Sequence, residues 1–385
     1  MVRYLWAAGL ARLADEMVAV AVVLLALARS GSPVLSGVVI AAYTVPSILS
    51  GPLLGAWLDR ARRPVAALAA NQFVLAVMAV AMVFAPAPWL VPAAFVAGIT
   101  LPMTSGGFTS LVPRLATDLP RAISQDALLF NAAAIAGPGL AGVLSTVASP
   151  AVAVAVVAAL SLAGGLCTTA LRVPPHPPGE HPSLRAAIAK GLRHLATTAP
   201  LRGATVASVV GYGSVGMLAT ALPLHVGALG VDGDQAGVVW AVFEVGAVGC
   251  LLVVRRWLHL WRPERVVFTA VALYGVTLAL WPLAPHFPVL LVPALVSGLA
   301  QGPVLTATIT ARQRYTPGAL LGQVSTTGAS LKIGAYAVGA VGGGALLATW
   351  SPTSVILLVA AGQLVGASLG AVTARPRRTA RSSHS

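Results

Sequence analysis

The sequence predicts an all-α integral membrane protein, with twelve transmembrane helices arranged as two six-helix parallel repeats. Three observations carry this reading. Hydrophobic residues fill 57% of 385 positions and charged residues only 9%, whereas a soluble chain of this length carries roughly 25% charged residues. Apolar runs long enough to cross a bilayer recur along the whole chain. The basic residues fall between those runs in alternation, as cations on one side of a membrane do. The net charge of +14 therefore reads as membrane orientation, with no nucleic-acid partner, because the cations do not gather on one soluble amphipathic element.

The apolar runs cover approximately 4–28, 35–57, 64–85, 88–112, 127–148, 150–171, 201–224, 234–254, 265–284, 288–310, 319–347 and 352–373. Each reaches the ~20 residues that a helix needs to span the hydrocarbon, and their internal prolines and glycines are tolerated in membrane helices. With the N-terminus in the cytoplasm, the cytoplasmic segments hold Arg3; Arg60, Arg62 and Arg63; Arg114 and Arg121; Arg172, Arg185, Lys190, Arg193 and Arg202; Arg255, Arg256, Arg262 and Arg265; Arg312 and Arg314; and Arg375, Arg377, Arg378 and Arg381. That is 21 of the 24 basic residues. Arg29 alone falls on the other side, and Arg12 and Lys332 lie within spans. A missed or additional helix would destroy the alternation, so the expectation is a multi-pass protein of the cell (inner) membrane with both termini cytoplasmic. Ala26-Leu-Ala28 has the form of a signal cleavage site, but Asp15 and Glu16 would interrupt the apolar region before it, and cleavage would leave eleven spans. Cys167 and Cys250 both lie inside apolar runs and read as free, packed thiols.

The halves read as copies. Val91-Pro92-Ala93 with Gly98 recurs as Val292-Pro293-Ala294 with Gly298, and the glycines of 137–142 precede the cluster Gly339 to Gly344 by about the same offset. Six spans repeating in the same orientation put a solute site between the halves, near the bilayer midplane. The expected units are an N-terminal bundle (1–172), a linker (173–200), a C-terminal bundle (201–374) and a basic tail (375–385). Prolines from Pro174 to Pro182 exclude helix at the start of the linker. Ser183 then opens a short amphipathic helix with Leu184, Ile188, Leu192 and Leu195 at helical spacing. His176, His181 and His194 read as solvated loop residues.

Ionisable groups within spans are costly and point to function. Arg12, Asp15 and Glu16 share the first span, with Arg12 three and four residues from the two acids, so either acid can face it. Glu244 in the eighth span and Lys332 in the eleventh sit at similar depth, either as functional groups or as an ion pair pinning two helices. An acid left without a cation, exposed alternately to two sides, is what proton coupling requires. Tyr43, Asn131, Tyr212 and Gln301 are scattered polar positions that would line a mostly apolar cavity suited to an amphipathic organic solute. In the fifth span, Gly137 and Gly142 allow close packing, and Pro138 removes a backbone hydrogen bond and favours a kink. There is no phosphate loop, metal-ligand cluster or activated nucleophile, so neither an enzyme, a cofactor nor a metal is expected, and transport would draw on a gradient.

Gly55-Ala-Trp-Leu-Asp59-Arg60-Ala-Arg62-Arg63 is a dense charge cluster between two apolar runs. It resembles the loop between helices 2 and 3 of the major facilitator superfamily, with Gly55, Asp59 and Arg60 matching and Arg62 standing where the family usually has a second Gly. The segment at Gly137, Pro138 and Gly142 resembles the Gly-Pro-x-x-Gly-Gly motif of the family's exporters, with Ala141 in place of one Gly. The fourth span lacks the membrane arginine that many of the drug–proton antiporters carry. The resemblance extends over nearly the whole chain. It implies a secondary transporter that exports a drug or metabolite by proton antiport with alternating access, acting as a monomer on a small-molecule substrate and protons within a lipid bilayer. It further implies that Asp59 docks near the positive end of the eleventh span, whose start is placed at Thr316 (N-cap) and Pro317 (first helical position). Importing a small nutrient on the same fold, or sensing without transport, are the alternatives. Tags at both termini and in the loop around Pro178 are expected in the cytoplasm; an impermeant external label that reaches Ser385 in intact cells would contradict that topology.

Overall fold

Within hydrocarbon every backbone polar group must be satisfied inside the protein, which leaves helix as the economical solution for a single apolar segment. The computed structural model describes residues 1–173, 183–232 and 235–375, and these residues form helices without any strand. The first six long rods are α1 (Val2–Ser30), α2 (Pro33–Arg60), α3 (Pro64–Phe84), α4 (Ala87–Leu115), α5 (Leu119–Val147) and α6 (Pro150–Thr169). A short α7 (Leu184–Thr197) connects them to α8 (Ala199–Ala228), α9 (Ala236–Val254), α10 (Pro263–Leu283), α11 (Phe287–Tyr315), α12 (Leu321–Leu346) and α13 (Pro352–Thr373). Ten of the rods are long and apolar enough to cross a membrane. The other two long rods are α1, which carries Arg12, Asp15 and Glu16 at its centre, and α12, which is rich in Gly, Ser and Thr between Gly322 and Ser330. Twelve long helices thus stand as two sets of six, α1–α6 and α8–α13.

Helix starts follow local chemistry. Ser32, Asp118, Ser149, Ser183 and Ser351 each accept a hydrogen bond from an amide in the first turn of the helix that follows, which satisfies donors that no intrahelical partner can reach. The repeat is also visible in packing. A Cβ at Gly98 would overlap the carbonyl oxygen of Tyr43, and a Cβ at Gly298 would overlap that of Phe243, each residue 200 positions on from its counterpart. In both halves the fourth helix of the set therefore touches the second backbone to backbone.

Several boundaries differ from the apolar runs. The fifth spanning helix begins at Leu119, eight residues before the apolar run at 127, because Asp118 caps it and Pro120 sits in its first turn. That brings Asp126 inside the bundle, fully buried. Helix α11 extends to Tyr315, so Arg312 is buried and donates to the Ser325 carbonyl (3.3 Å) instead of lying in a loop. Helix α4 contains a π-helical turn at Met103–Gly107, where Gly106 packs directly on Ser325 and Thr326 of α12. The segment after Ser183 is the helix α7, which turns Ala187, Gly191 and Leu195 to the protein and Leu184 and Leu192 outward. The reason is close approach: Gly191 abuts the Gln323 side chain, whose amide donates to the Ile188 carbonyl (2.8 Å). His194 is half-buried and bonded to the Tyr315 carbonyl (2.8 Å), contrary to a solvated loop residue. His176, His181, the prolines of 174–182 and the tail beyond Arg375 lie outside the described residues.

The two sets meet along α2 and α12. Ser330 donates to the Ser47 carbonyl (2.5 Å), Thr326 to the Gly51 carbonyl (2.6 Å), and the Asp59 carboxylate accepts from the backbone amides of Gly322 (2.7 Å) and Gln323 (2.8 Å). Gln313 of α11 adds a bond to the Thr109 carbonyl of α4 (3.4 Å). All of these lie between mid-depth and the end of the bundle that carries the basic loops. Gly55 is required here, because a Cβ would overlap Thr326 Oγ1 and Gln323 Cα. Thr316 is not the cap of the eleventh span. It follows α11 in extended conformation, α12 opens through a 3₁₀ turn at Gly318–Leu320, and the cap is Asp59, contributed by the other half. Asp59→Asn keeps one acceptor and loses the charge that two amides share. It should weaken closure by about 1–2 kcal/mol, raising the population open at this end roughly 5–30-fold. The check is maleimide reactivity of a cysteine at Ser330, 1% exposed here, with Cys167 and Cys250 replaced; reactivity equal to that of the parent would contradict the clamp.

Candidate functional site

Four charged residues stand at the centres of their rods, on one level. Asp15 and Glu16 are at the centre of α1, Glu244 at the centre of α9 and Lys332 at the centre of α12, and all four are half-buried. Tyr43, Asn131, Tyr212 and Gln301 occupy the same level of α2, α5, α8 and α11.

Arg12 is not the counter-ion of either neighbouring acid. It points to the face of α1 that packs on α4 and α5 and is 2% exposed. There its guanidinium binds Asp126 at both carboxylate oxygens (2.7 and 3.2 Å) and at the backbone carbonyl (3.0 Å), and donates to Thr109 Oγ1 (2.9 Å). Tyr4 (2.6 Å) and Thr109 (2.9 Å) donate to the same carboxylate, and the Phe130 ring lies 5.0 Å beneath the guanidinium. A buried pair of this kind holds only when its remaining donors and acceptors are satisfied, and Tyr4 and Thr109 do most of that; Arg12 Nε alone has no partner.

Asp15 and Glu16 are left without a bound cation. Asp15 accepts a hydrogen bond from Tyr43 (2.8 Å). The backbone and Cβ of Glu16 press on Gly137, where no larger residue fits, while the charges within electrostatic reach of its carboxylate include Arg12, Asp15, Glu244 and Lys332. Gly137 thus permits the α1–α5 approach at the acid, whereas Gly142 has open space at its Cβ position. Pro138 lies inside a helix that continues through it. Glu244 and Lys332 form no ion pair with each other. The Lys332 ammonium sits over the Tyr212 ring (4.4 Å), which in turn meets Tyr336 (5.4 Å between centroids). The two halves thus hold a cation over a ring in mirrored fashion: Arg12 of α1 over Phe130 of α5, and Lys332 of α12 over Tyr212 of α8. Only the first has a carboxylate attached. Gln301 stands where α11 is interrupted before Pro303, with its side-chain oxygen buried and unpartnered; Asn131 is half-buried. In the loop motif, Asp59 is the clamp already described, Arg60 lines a crevice with Trp57 and Leu184, and Arg62 and Arg63 are exposed.

Asp126, Tyr4 and Thr109 were not singled out in the sequence. The signal for Asp126 was there: an arginine fixed in a membrane helix needs an anion, and Asp118-Leu-Pro120 is a helix start that places Asp126 two turns inside. The arrangement can bind positive charge: it holds three half-buried carboxylates from two halves, one of them bonded to Tyr43, and a single ammonium, that of Lys332.

Comparisons with known proteins agree with this architecture. The family model described as Major Facilitator Superfamily matches twice, over 4–208 and 204–385. An uncharacterized MFS-type transporter, y4rN, of Sinorhizobium fredii (strain NBRC 101917 / NGR234) is 29% identical over 360 residues, covering 89% of this chain and 87% of the relative. Among solved structures, the human organic anion transporter MFSD10 (TETRAN) superposes with a TM-score of 0.77 at 18% identity, over 96% of this chain and 98% of that one. A bacterial homologue of the iron transporter ferroportin, in an outward-facing state, gives 0.71 at 16% identity over 97% and 98%. The proton:xylose symporter XylE gives 0.69 at 15% identity over 95% and 94%. At such identities the structures speak for the fold alone. Matched across both six-helix sets by the family and built on its fold, the chain belongs to the major facilitator superfamily and is a multi-pass membrane transporter.

Proposed function

We propose that this transporter exports a small amphipathic organic compound in exchange for protons, by alternating access between bundles 1–172 and 201–374. The observation that carries the reading is the commitment of Arg12 to Asp126, which leaves Asp15, Glu16 and Glu244 at mid-depth without a fixed counter-ion. An acid in that position binds a proton or a substrate cation in turn, and a group that does so from alternate sides couples the two fluxes. The mostly apolar surroundings with a few tyrosines and amides suit an amphipathic solute, and Gly137 beside Glu16 places the exporter-like segment against the acid. The basic loops support a cytoplasmic position for the clamped end, and on that reading the form described is closed inward. A monomer suffices, since both halves of the site lie in one chain.

In inverted vesicles with an imposed pH gradient, ethidium serves as an amphipathic probe for uphill uptake, and its exchange is followed separately at equal pH. Asp15→Asn, Glu16→Gln and Glu244→Gln remove the exchangeable proton one acid at a time. At least one should reduce uphill uptake roughly tenfold or more, while exchange survives because binding and rocking remain. Full uphill flux in all three variants would contradict coupling through these acids, and gradient-driven movement in the opposite sense would make the protein an importer.

A further inference from the structure

The Asp59 clamp has a mirror image without its carboxylate. In the first clamp the end of α2 lays an acid on the start of α12, at the amides of Gly322 and Gln323. The repeat places the end of α9 against the start of α5 in the same relation. There the corresponding positions are Pro120, which has no N–H, and Arg121, whose amide is already bonded to Asp118 (3.1 Å). The segment from Arg255 to Arg262 contains no acid. Instead, Arg255 and Arg256 face Arg121 across a crevice of about 440 Å³, lined also by Asp118, Pro120, Ser124 and Gln125. Three guanidinium groups thus meet at the positive end of a helix, with one carboxylate, already engaged as a cap, to offset them.

A second feature points into the same space. Ser124 is 5% exposed and lines the crevice, and its hydroxyl has no hydrogen-bond partner among the described residues. Its counterpart in the other half, Thr326, spends its hydroxyl on the Gly51 carbonyl across the interface (2.6 Å). Arg256 is held in place by stacking on Trp257 (3.9 Å).

We infer that this crevice binds a phosphate-bearing anion, which completes the second clamp and favours the form closed at this end. Guanidinium forks match phosphate oxygens in geometry and charge. The anion would bridge Arg121 and Ser124 of the first half with Arg255 and Arg256 of the second, as Asp59 bridges the halves on the other side. Rocking apart at this end would separate those donors, so anion binding and closure favour each other.

The test uses the full chain with Cys167 and Cys250 replaced and spin labels at Leu119 and Leu252, the two exposed ends flanking the crevice. Pyrophosphate is titrated in detergent, and separately the protein is placed in nanodiscs of phosphatidylcholine with and without phosphatidylglycerol. A shift to the short distance with pyrophosphate, weakened at least tenfold in Arg255→Gln/Arg256→Gln and unchanged in Arg262→Gln, supports the site with a soluble phosphate. The same shift seen only with phosphatidylglycerol, and lost in the double variant, supports it with a lipid headgroup. Unchanged thermal midpoints show that the variants fold. No shift with either probe, or a shift that survives the double variant, overturns the proposal.

Discussion

A guanidinium in the middle of a membrane helix must have an anion, and the choice of that anion organises this transporter. Arg12 could have taken Asp15 or Glu16, one turn away on its own helix. It takes Asp126 from α5, a partner 114 residues away, with Tyr4 and Thr109 closing most of the remaining valences. The pairing ties α1, α4 and α5 into one unit at the core of the first half. It also strips the neighbouring acids of their nearest cation. What remains at mid-depth is an excess of negative charge, divided between α1 and α9 and answered only by Lys332, which rests on an aromatic ring.

The same economy explains how the halves are joined. The start of α12 lacks a side-chain cap of its own, and Asp59 of α2 supplies it. A helix end left open within one half is satisfied from the other, so the bond exists only when the halves are together. Ser47, Gly51 and Gly55 continue that seam towards mid-depth through carbonyl contacts and a missing Cβ. The clamp therefore reads the relative position of the bundles, and it sits at the end of the same α2 whose Tyr43, at mid-depth, donates to Asp15. The gate and the tyrosine that donates to the acid of α1 share one helix.

The fold was legible in the sequence because its causes are local. Run length, alternation of basic loops and the recurrence of Gly98 at Gly298 each reflect a constraint on one segment or on one backbone crossing. The level of Asp15, Glu16, Glu244 and Lys332 could likewise be counted along their helices, whereas the docking of Asp59 was expected only from the family resemblance of the Gly55–Asp59 cluster. What could not be read was who pairs with whom. Asp126 was missed because apolar runs begin later than helices do: a cap and a first-turn proline start α5 two turns before its first apolar stretch. Arg312 was placed in a loop for the matching reason at the other end of a span. Thr316 looked like a cap because the true cap comes from a residue 263 positions away. The side of α7 that meets the bundle could not be read either, because the missing side chain of Gly191 is what allows it to approach Gln323.

The unpaired state of the mid-depth acids depends on the pairing of Arg12 with Asp126. A double-mutant cycle on thermal unfolding, with Arg12→Gln combined in turn with Asp126→Asn, Asp15→Asn and Glu16→Gln, measures each coupling directly. Breaking a buried pair from one side costs about 3–5 kcal/mol, so most of that loss should be shared between Arg12 and Asp126, leaving the couplings to Asp15 and Glu16 below about 0.5 kcal/mol. A larger coupling to Asp15 or Glu16 than to Asp126 would contradict it, because the mid-depth acids would then carry their own cation.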